Sequence, residues 1–253
     1  METYALELIR NEKRIDRREL TQFRDIEIKE NIIENAEGSA YVRLGNTQVI
    51  AGVKMGVGTP FPDTPNEGIL SVSAEFTPLA SPEFESGPPG ENAIELARIV
   101  DRGIRESKSI EMEKLVIAPG EKVLSVFIDI YIIDNQGNLL DAAALAALSA
   151  LLNTRIPKLD AEGKIIRGEH GGKLPVVHKP ITVSVCKVGD KLFLDPTKEE
   201  ETILDAKLSI AVMEDGKICA MQKQGSKGIE FDVLGKMVDL AMEKSMELRK
   251  LVK

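Results

Sequence analysis

The stretch that most constrains this chain is residues 134–143, DNQGNLLDAA. A β-rich run, VLSVFIDIYII, leads into it and a helix-forming run, AALAALSALL, leads out. Strand, glycine turn and helix start together form the backbone of an anion site. The N–H groups at a helix N-terminus point outward, and the helix dipole favours negative charge there. The side chains do not fit that use. Leu139 and Leu140 stand where a phosphate needs a hydroxyl and a cation, and Asp141 adds an acid that suits the helix dipole and repels a phosphate. From its own chemistry the turn has the outline of an anion site without the donors.

Around this turn the pattern is α+β. A short helix fits residues 3–10, and strands fit 23–29, 39–44, 47–55, 69–77 and 122–134. Gly45 and Asn46 form a two-residue hairpin turn. Two long Pro/Gly-rich loops, 56–68 and 78–91, have the length of functional or interface loops. A helix follows, with Asn92 as its expected cap and Glu95 as the partner in a capping box. Residues 158–179, polar and rich in glycine, read as a linker between a first half, 1–157, and a second, 180–253. The second half has strands at 181–188, 191–195, 208–214 and 217–223, the last two joined at Asp215-Gly216. Its closing helix, 230–252, turns Leu234, Val238, Ala241, Ser245, Leu248 and Val252 inward. Strands followed by a helix, twice, indicate two similar β-rich halves.

Composition narrows the partners. The 253 residues are 43% hydrophobic, enough for a large core, but only 4% aromatic. The abundance of Glu, Lys and Arg leans toward a thermophilic source. A net charge of −8 means that any nucleic-acid contact is a local basic patch or is shared with a partner. Cys186 and Cys219, far apart in sequence, read as reduced thiols, and with only His170 and His178 beside them they make no zinc pattern. No apolar run approaches the roughly 18 residues of a membrane span. The start is acidic and amphipathic rather than a signal peptide, so the expected place is the cytoplasm.

Two further groups carry possible chemistry. Arg98, Arg102 and Arg105 fall within roughly 60° of one another on a helix face, at about 100° per residue. Guanidiniums in a row suit a phosphate backbone. The opposite side, Ala93, Ile94, Ala97, Val100 and Ile104, is expected to pack inward. Pairs of Glu95 with Arg98 and of Asp101 with Arg105 also fit a merely solvated face, and spacing alone favours that reading. Asp195, Glu199, Glu200 and Glu201 crowd a strand end. They suit Mg²⁺ or a general acid, but read more simply as the acidic first turn of a helix.

Several stretches resemble one family. AEGSAYVRLGNTQVIAGVK, ENAIELARIVDRGIRES, DIYIIDNQGNLLDAAALAALSAL and FLDPTKEEE are similar to the RNase PH family of phosphate-dependent 3′→5′ exoribonucleases. PDTPNEGIL, PLASPEFESGPP and ELARIVDR resemble most the catalytically silent branch of that family found in the archaeal exosome core ring. The resemblance implies an RNase PH-like fold whose first half is like ribosomal protein S5 domain 2. It implies a ring of alternating silent and active RNase PH-like subunits, three of each, with OB-domain RNA-binding caps on one face. Single-stranded RNA threads the pore, and the active subunits release nucleoside diphosphates.

On the residues, the resemblance implies that the active family's Gly-Gly-Thr-Arg-like phosphate turn falls on Gly137, Asn138, Leu139 and Leu140. It places the family's paired aspartates at Asp195 and Glu201, with Thr197 where a third acid often sits. Glu201 is one methylene longer than Asp, which displaces a proton donor by about 1 Å. Arg98, Arg102 and Arg105 match arginines that line the RNA path, which reverses the balance for that helix. The chain is therefore expected to guide RNA without catalysing its cleavage and without a metal or cofactor of its own. The rival readings are an active phosphate-dependent exoribonuclease using Asp195 and the Glu run, and a small-molecule enzyme on a similar half-domain.

Overall fold

The computed structural model describes residues 2–252. Helix α1 (Glu2–Arg10) opens the chain, followed by strands β1 (Ile26–Glu30), β2 (Gly38–Leu44), β3 (Thr47–Gly58) and β4 (Ile69–Phe76). Helix α2 (Glu91–Glu106), β5 (Val116–Ala118), β6 (Lys122–Asp134) and α3 (Leu139–Leu152) complete the first half. β1, β2, β3, β6 and β4 lie in that order in one sheet, with β5 on β6. β4 runs parallel to β6 because α2 carries the chain between them, and the other pairs are antiparallel. The β2–β3 hairpin closes Leu44 on Thr47, with Gly45 at φ 58°, the conformation its turn needs.

The expected linker holds structure of its own. β7 (Arg155–Leu159) and β8 (Ile165–Lys173) form a separate two-stranded hairpin. β9 (Ile181–Val188), β10 (Lys191–Leu194), a single turn α4 (Lys198–Glu201), β11 (Ala206–Val212), β12 (Ile218–Gln224) and α5 (Phe231–Arg249) follow. Their sheet has the order β10-β9-β11-β12. The α+β class and the two β-rich halves are as expected.

The sheet of the first half is two-faced. Val126, Ile128, Ile130 and Ile132 of β6 are buried, while Phe127 and Tyr131 between them face outward. β9 differs, for all its residues are buried. It lies between α3 and α5, and a strand covered on both faces is mostly apolar, here with Thr182, Ser184 and Lys187 as the polar exceptions. α3 explains the arrangement. Its sequence, LLDAAALAALSALL, is apolar all round, so it must be enclosed. It packs on β2 and β3 with one side and on β9 with the other. One continuous core therefore runs through both halves. Each fully buried leucine in it, such as Leu148, is worth about 2–5 kcal/mol against alanine.

Several local expectations change. α2 is capped by the extended Gly90, not by Asn92, and no capping box forms there. Ile94 is 48% exposed, whereas Leu96 and Ile99 are buried. In α5, Met237 is buried and Leu234 and Val238 are only half-buried. α1 packs against α4 and β9 of the second half, where Ile9, Val188 and Phe193 form a small separate core with Cys186.

Candidate functional site

The turn that enters α3 is built on two residues with positive φ, Gly137 at 89° and Asn138 at 55°. Glycine is required at 137, because a Cβ there meets Pro196 O at 2.4 Å. Asn tolerates the left-handed conformation at 138. The Asn138 side chain does not cap its helix. Its Nδ2 donates to Asp141 Oδ2 at 3.1 Å and to Asp195 Oδ1 at 3.0 Å. The Asn138 backbone N–H, one of the outward-pointing donors of the helix start, donates to Glu201 Oε1 at 3.1 Å. That N–H is therefore bonded to a carboxylate of the same chain. Leu140 is buried in the core and Leu139 is half-buried at the edge of a cleft.

The paired-acid positions are equally engaged. Asp195 is fully buried. Its Oδ1 accepts from Arg24 Nη2 at 2.6 Å and from Asn138 Nδ2. Its Oδ2 accepts from Arg18 Nη1 at 2.9 Å, Arg24 Nε at 2.9 Å and Arg24 N at 2.8 Å. Burial opposes its charge, but the hydrogen bonds and charge of Arg24, helped by Arg18, outweigh it and hold the carboxyl below its usual range. A carboxylate so filled has no proton to give and no lone pair for a metal. Glu200 is buried on Arg14, at 2.9 Å and 2.5 Å, and closes a capping box with Thr197 at the start of α4. Glu201 accepts from Asn138 and has Lys207 Nζ at 4.0 Å. Among the described residues no group of His, Cys, Asp or Glu is placed to hold a metal. The acidic run is the first turn of a short helix.

Asp141 does not serve the helix dipole from the surface. It is fully buried and faces β9, accepting from Ser184 Oγ at 2.7 Å and Ser184 N at 3.1 Å. Burial pushes its carboxyl up to about 6, although the bonds from Ser184 and Asn138 pull the other way. It joins the two halves by hydrogen bonds.

Beside the turn lies a cleft of about 490 Å³, with Phe76, Phe84 and Leu139 among its apolar walls and Lys198, Lys207 and Glu201 among its polar ones. α2 forms part of its lining through Asn92, Glu95, Leu96 and Ile99, and turns its arginines elsewhere. Arg98, Arg102 and Arg105 are all exposed. Arg105 is paired with Asp101 at 2.6 Å and 2.9 Å, as a solvated face would have it. Arg102 reaches Gln222 of β12 at 3.2 Å. Arg98 makes no ion pair or side-chain hydrogen bond among the described residues, so the expected pair with Glu95 is not formed. Both cysteines are free thiols, and burial raises both. His178 lies 3.6 Å from Glu214, away from the turn.

The residues that sequence reasoning did not assign are Arg14, Arg18 and Arg24 with their acids, and Ser184 with Asp141. Arg14, Arg17 and Arg18 stand close together in the sequence. The partners of Arg14 and Arg24 lie far along the chain: Asp195 is 171 residues from Arg24 and Glu200 is 186 from Arg14. No local pattern marks such pairs.

No helix among the described residues is long and apolar enough to cross a membrane. Residues 22–157 match the first domain of the 3′ exoribonuclease family, RNase PH, and residues 178–244 match its second. Exosome complex component Rrp42 of Thermococcus gammatolerans is 48% identical over 255 residues, covering 100% of this chain and 93% of that protein. Exosome complex component Rrp42 of Methanothermobacter thermautotrophicus is 50% identical over 244 residues, covering 96% of this chain and 90% of that protein. A chain from the Archaeoglobus fulgidus exosome with RNA bound to the active site superposes with a TM-score of 0.93 at 48% identity, over 100% of this chain and 97% of that one. With both family domains in order and relatives this similar over at least 90% of their own length, the chain belongs to the RNase PH family of 3′ exoribonucleases.

Proposed function

We propose that this chain is a structural and RNA-guiding subunit of an exosome, a 3′→5′ phosphorolytic RNA-degrading ring, and has no catalysis of its own. The similarity to relatives named exosome complex component supports the assembly. The observation that carries the silence is the α3 turn. It has leucines where the resemblance expects a hydroxyl and a guanidinium, and its outward N–H at Asn138 is bonded to Glu201. Phosphoryl transfer depends on positioning and charge stabilisation, so an unanchored phosphate does not react.

In this reading the chain alternates with an active RNase PH-like partner in a trimer of heterodimers, carries OB-domain caps, and works in the cytoplasm on single-stranded RNA. Arg98, Arg102 and Arg105 contact RNA phosphates on the way to the partner's site, and such contacts are indifferent to sequence. The rival, an active exoribonuclease, needs Asp195 or the Glu run to supply a general acid. The arginines on Asp195 and on Glu200 speak against it.

The test is an assay of the purified chain with RNA, orthophosphate and Mg²⁺. The chain alone is expected to release no nucleoside diphosphate, and the co-expressed complex to release it from a single hexameric species by native mass spectrometry. Release by the chain alone would sink the silent-subunit reading.

A further inference from the structure

The loss of two side chains explains why phosphate would bind weakly at the α3 turn. It does not explain why the turn keeps the backbone of an anion site. We infer that Glu201 is a tethered anion that occupies this site, so that an inorganic oxyanion such as orthophosphate is excluded by competition as well as by missing donors.

Its Oε1 accepts from the Asn138 N–H at 3.1 Å and has Lys207 Nζ at 4.0 Å. A donor from a helix start and an ammonium group are the two kinds of partner an oxyanion takes. Lys207 has no other ion-pair partner among the described residues, and its charge balances Glu201 in the wall of the cleft. Lys198, the other lysine of the cleft, is engaged with Ser81 and Glu83 and is not part of the site.

An independent observation points to a ligand position next to the carboxylate. Asn135 is only 8% exposed and lines the same cleft. Its Oδ1 accepts from the Gly137 N–H at 3.2 Å, which fixes the amide orientation. Its Nδ2 then faces the cleft with no acceptor among the described residues. The residue is more than nine-tenths buried, and this one N–H stays open to the cleft, where a ligand can take it. Asn138 N–H and Lys207 Nζ thus meet at one internal acid, and Asn135 lines the same cleft.

The inference rests on the reading of this subunit as silent and adds the group that keeps its site closed. Orthophosphate is titrated into the full-length chain by calorimetry, with ³¹P line broadening as a second readout. The wild type is expected to show no saturable binding. Glu201→Ala is expected to bind about tenfold or more tightly than the wild type, because a charged competitor is gone. Adding Lys207→Met to Glu201→Ala is expected to abolish the gain. Glu201→Gln, which keeps an acceptor on Asn138 without the charge, is expected to bind more weakly than Glu201→Ala. A folded Glu201→Ala chain that binds phosphate no better than the wild type overturns the inference and leaves the silent-subunit reading standing. Saturable binding by the wild type overturns the inference too. Nucleoside diphosphate release by the wild-type chain is what removes the underlying reading. If Glu201→Ala does not fold, Glu201→Ser removes the same carboxylate and is read the same way.

Discussion

The turn before α3 and the outer face of α2 both gather groups suited to a phosphate, and they leave them in opposite states. At the turn, the Asn138 N–H, Arg18 and Arg24 are all bonded to carboxylates of the chain itself. On α2, Arg98 has no partner among the described residues, Arg102 has a weak neutral one, and Arg105 is paired with one acid of its own helix. Cations at the turn hold the two halves together. On α2, Arg98 is free for another molecule and Arg102 is lightly held, while Arg105 is held by Asp101 and the Leu70 carbonyl. Proximity to an anion-shaped backbone is therefore a poor guide to binding; what matters is which donors remain uncommitted.

The comparison breaks most visibly if the buried cations are not held by their acid. Asp195→Asn keeps the shape, leaves the nearly buried Arg24 without a counter-charge and leaves Arg18 with Asp16 alone. Urea denaturation is expected to show a loss of about 3–5 kcal/mol at an unchanged slope. A loss under about 1 kcal/mol would mean that the arginines find other partners.

The second test sets Asp141 against Asp195. The folded-state value for Asp141, about 6, lies above the ordinary 3.8. The folded chain therefore holds this proton more tightly than the unfolded one, and stability falls as pH rises through that window. Asp195 has the opposite sign: its stabilisation is present above its unfolded value and is lost as pH falls through its folded one. In Asp141→Asn only the first component disappears. Relative to that variant, the wild type is expected to lose about 3 kcal/mol between about pH 3 and about pH 7. A flat difference would place Asp141 in a well-solvated setting.

The smallest effect is on α2 and concerns binding, not folding. Arg98, Arg102 and Arg105 replaced together by Glu are expected to slow RNA degradation by the assembled ring about tenfold, with the hexamer intact. The salt slope of single-strand binding is expected to drop by about 2, at about 0.7 per phosphate contact. Unchanged degradation would return this face to plain solvation.

Local chemistry made much of the fold legible. Gly45-Asn46 and Asp215-Gly216 mark turns through their backbone preferences, and the alternation in β3 and β6 follows from one buried face. The β7–β8 hairpin was hidden because its segment is polar and glycine-rich and its two strands pair only with each other, so the core signal in it is weak. The cap of α2 was misplaced because Gly90 caps through backbone geometry, and Asn92 merely had the right side chain. At the site, Leu139, Leu140, Asp195 and Glu201 could be singled out by chain position. That Glu201 meets Asn138, 63 residues away, could not, for that contact exists only once the second sheet docks on α3.

The docking of α3 also bears on how the chain comes apart. Its apolar surface is shared between β2 and β3 on one side and β9 on the other. Neither half can keep its interior dry after the other has opened, so two domains in sequence behave as one cooperative unit. A nick in the exposed hairpin between them would leave the fragments associated, and separating them would melt both.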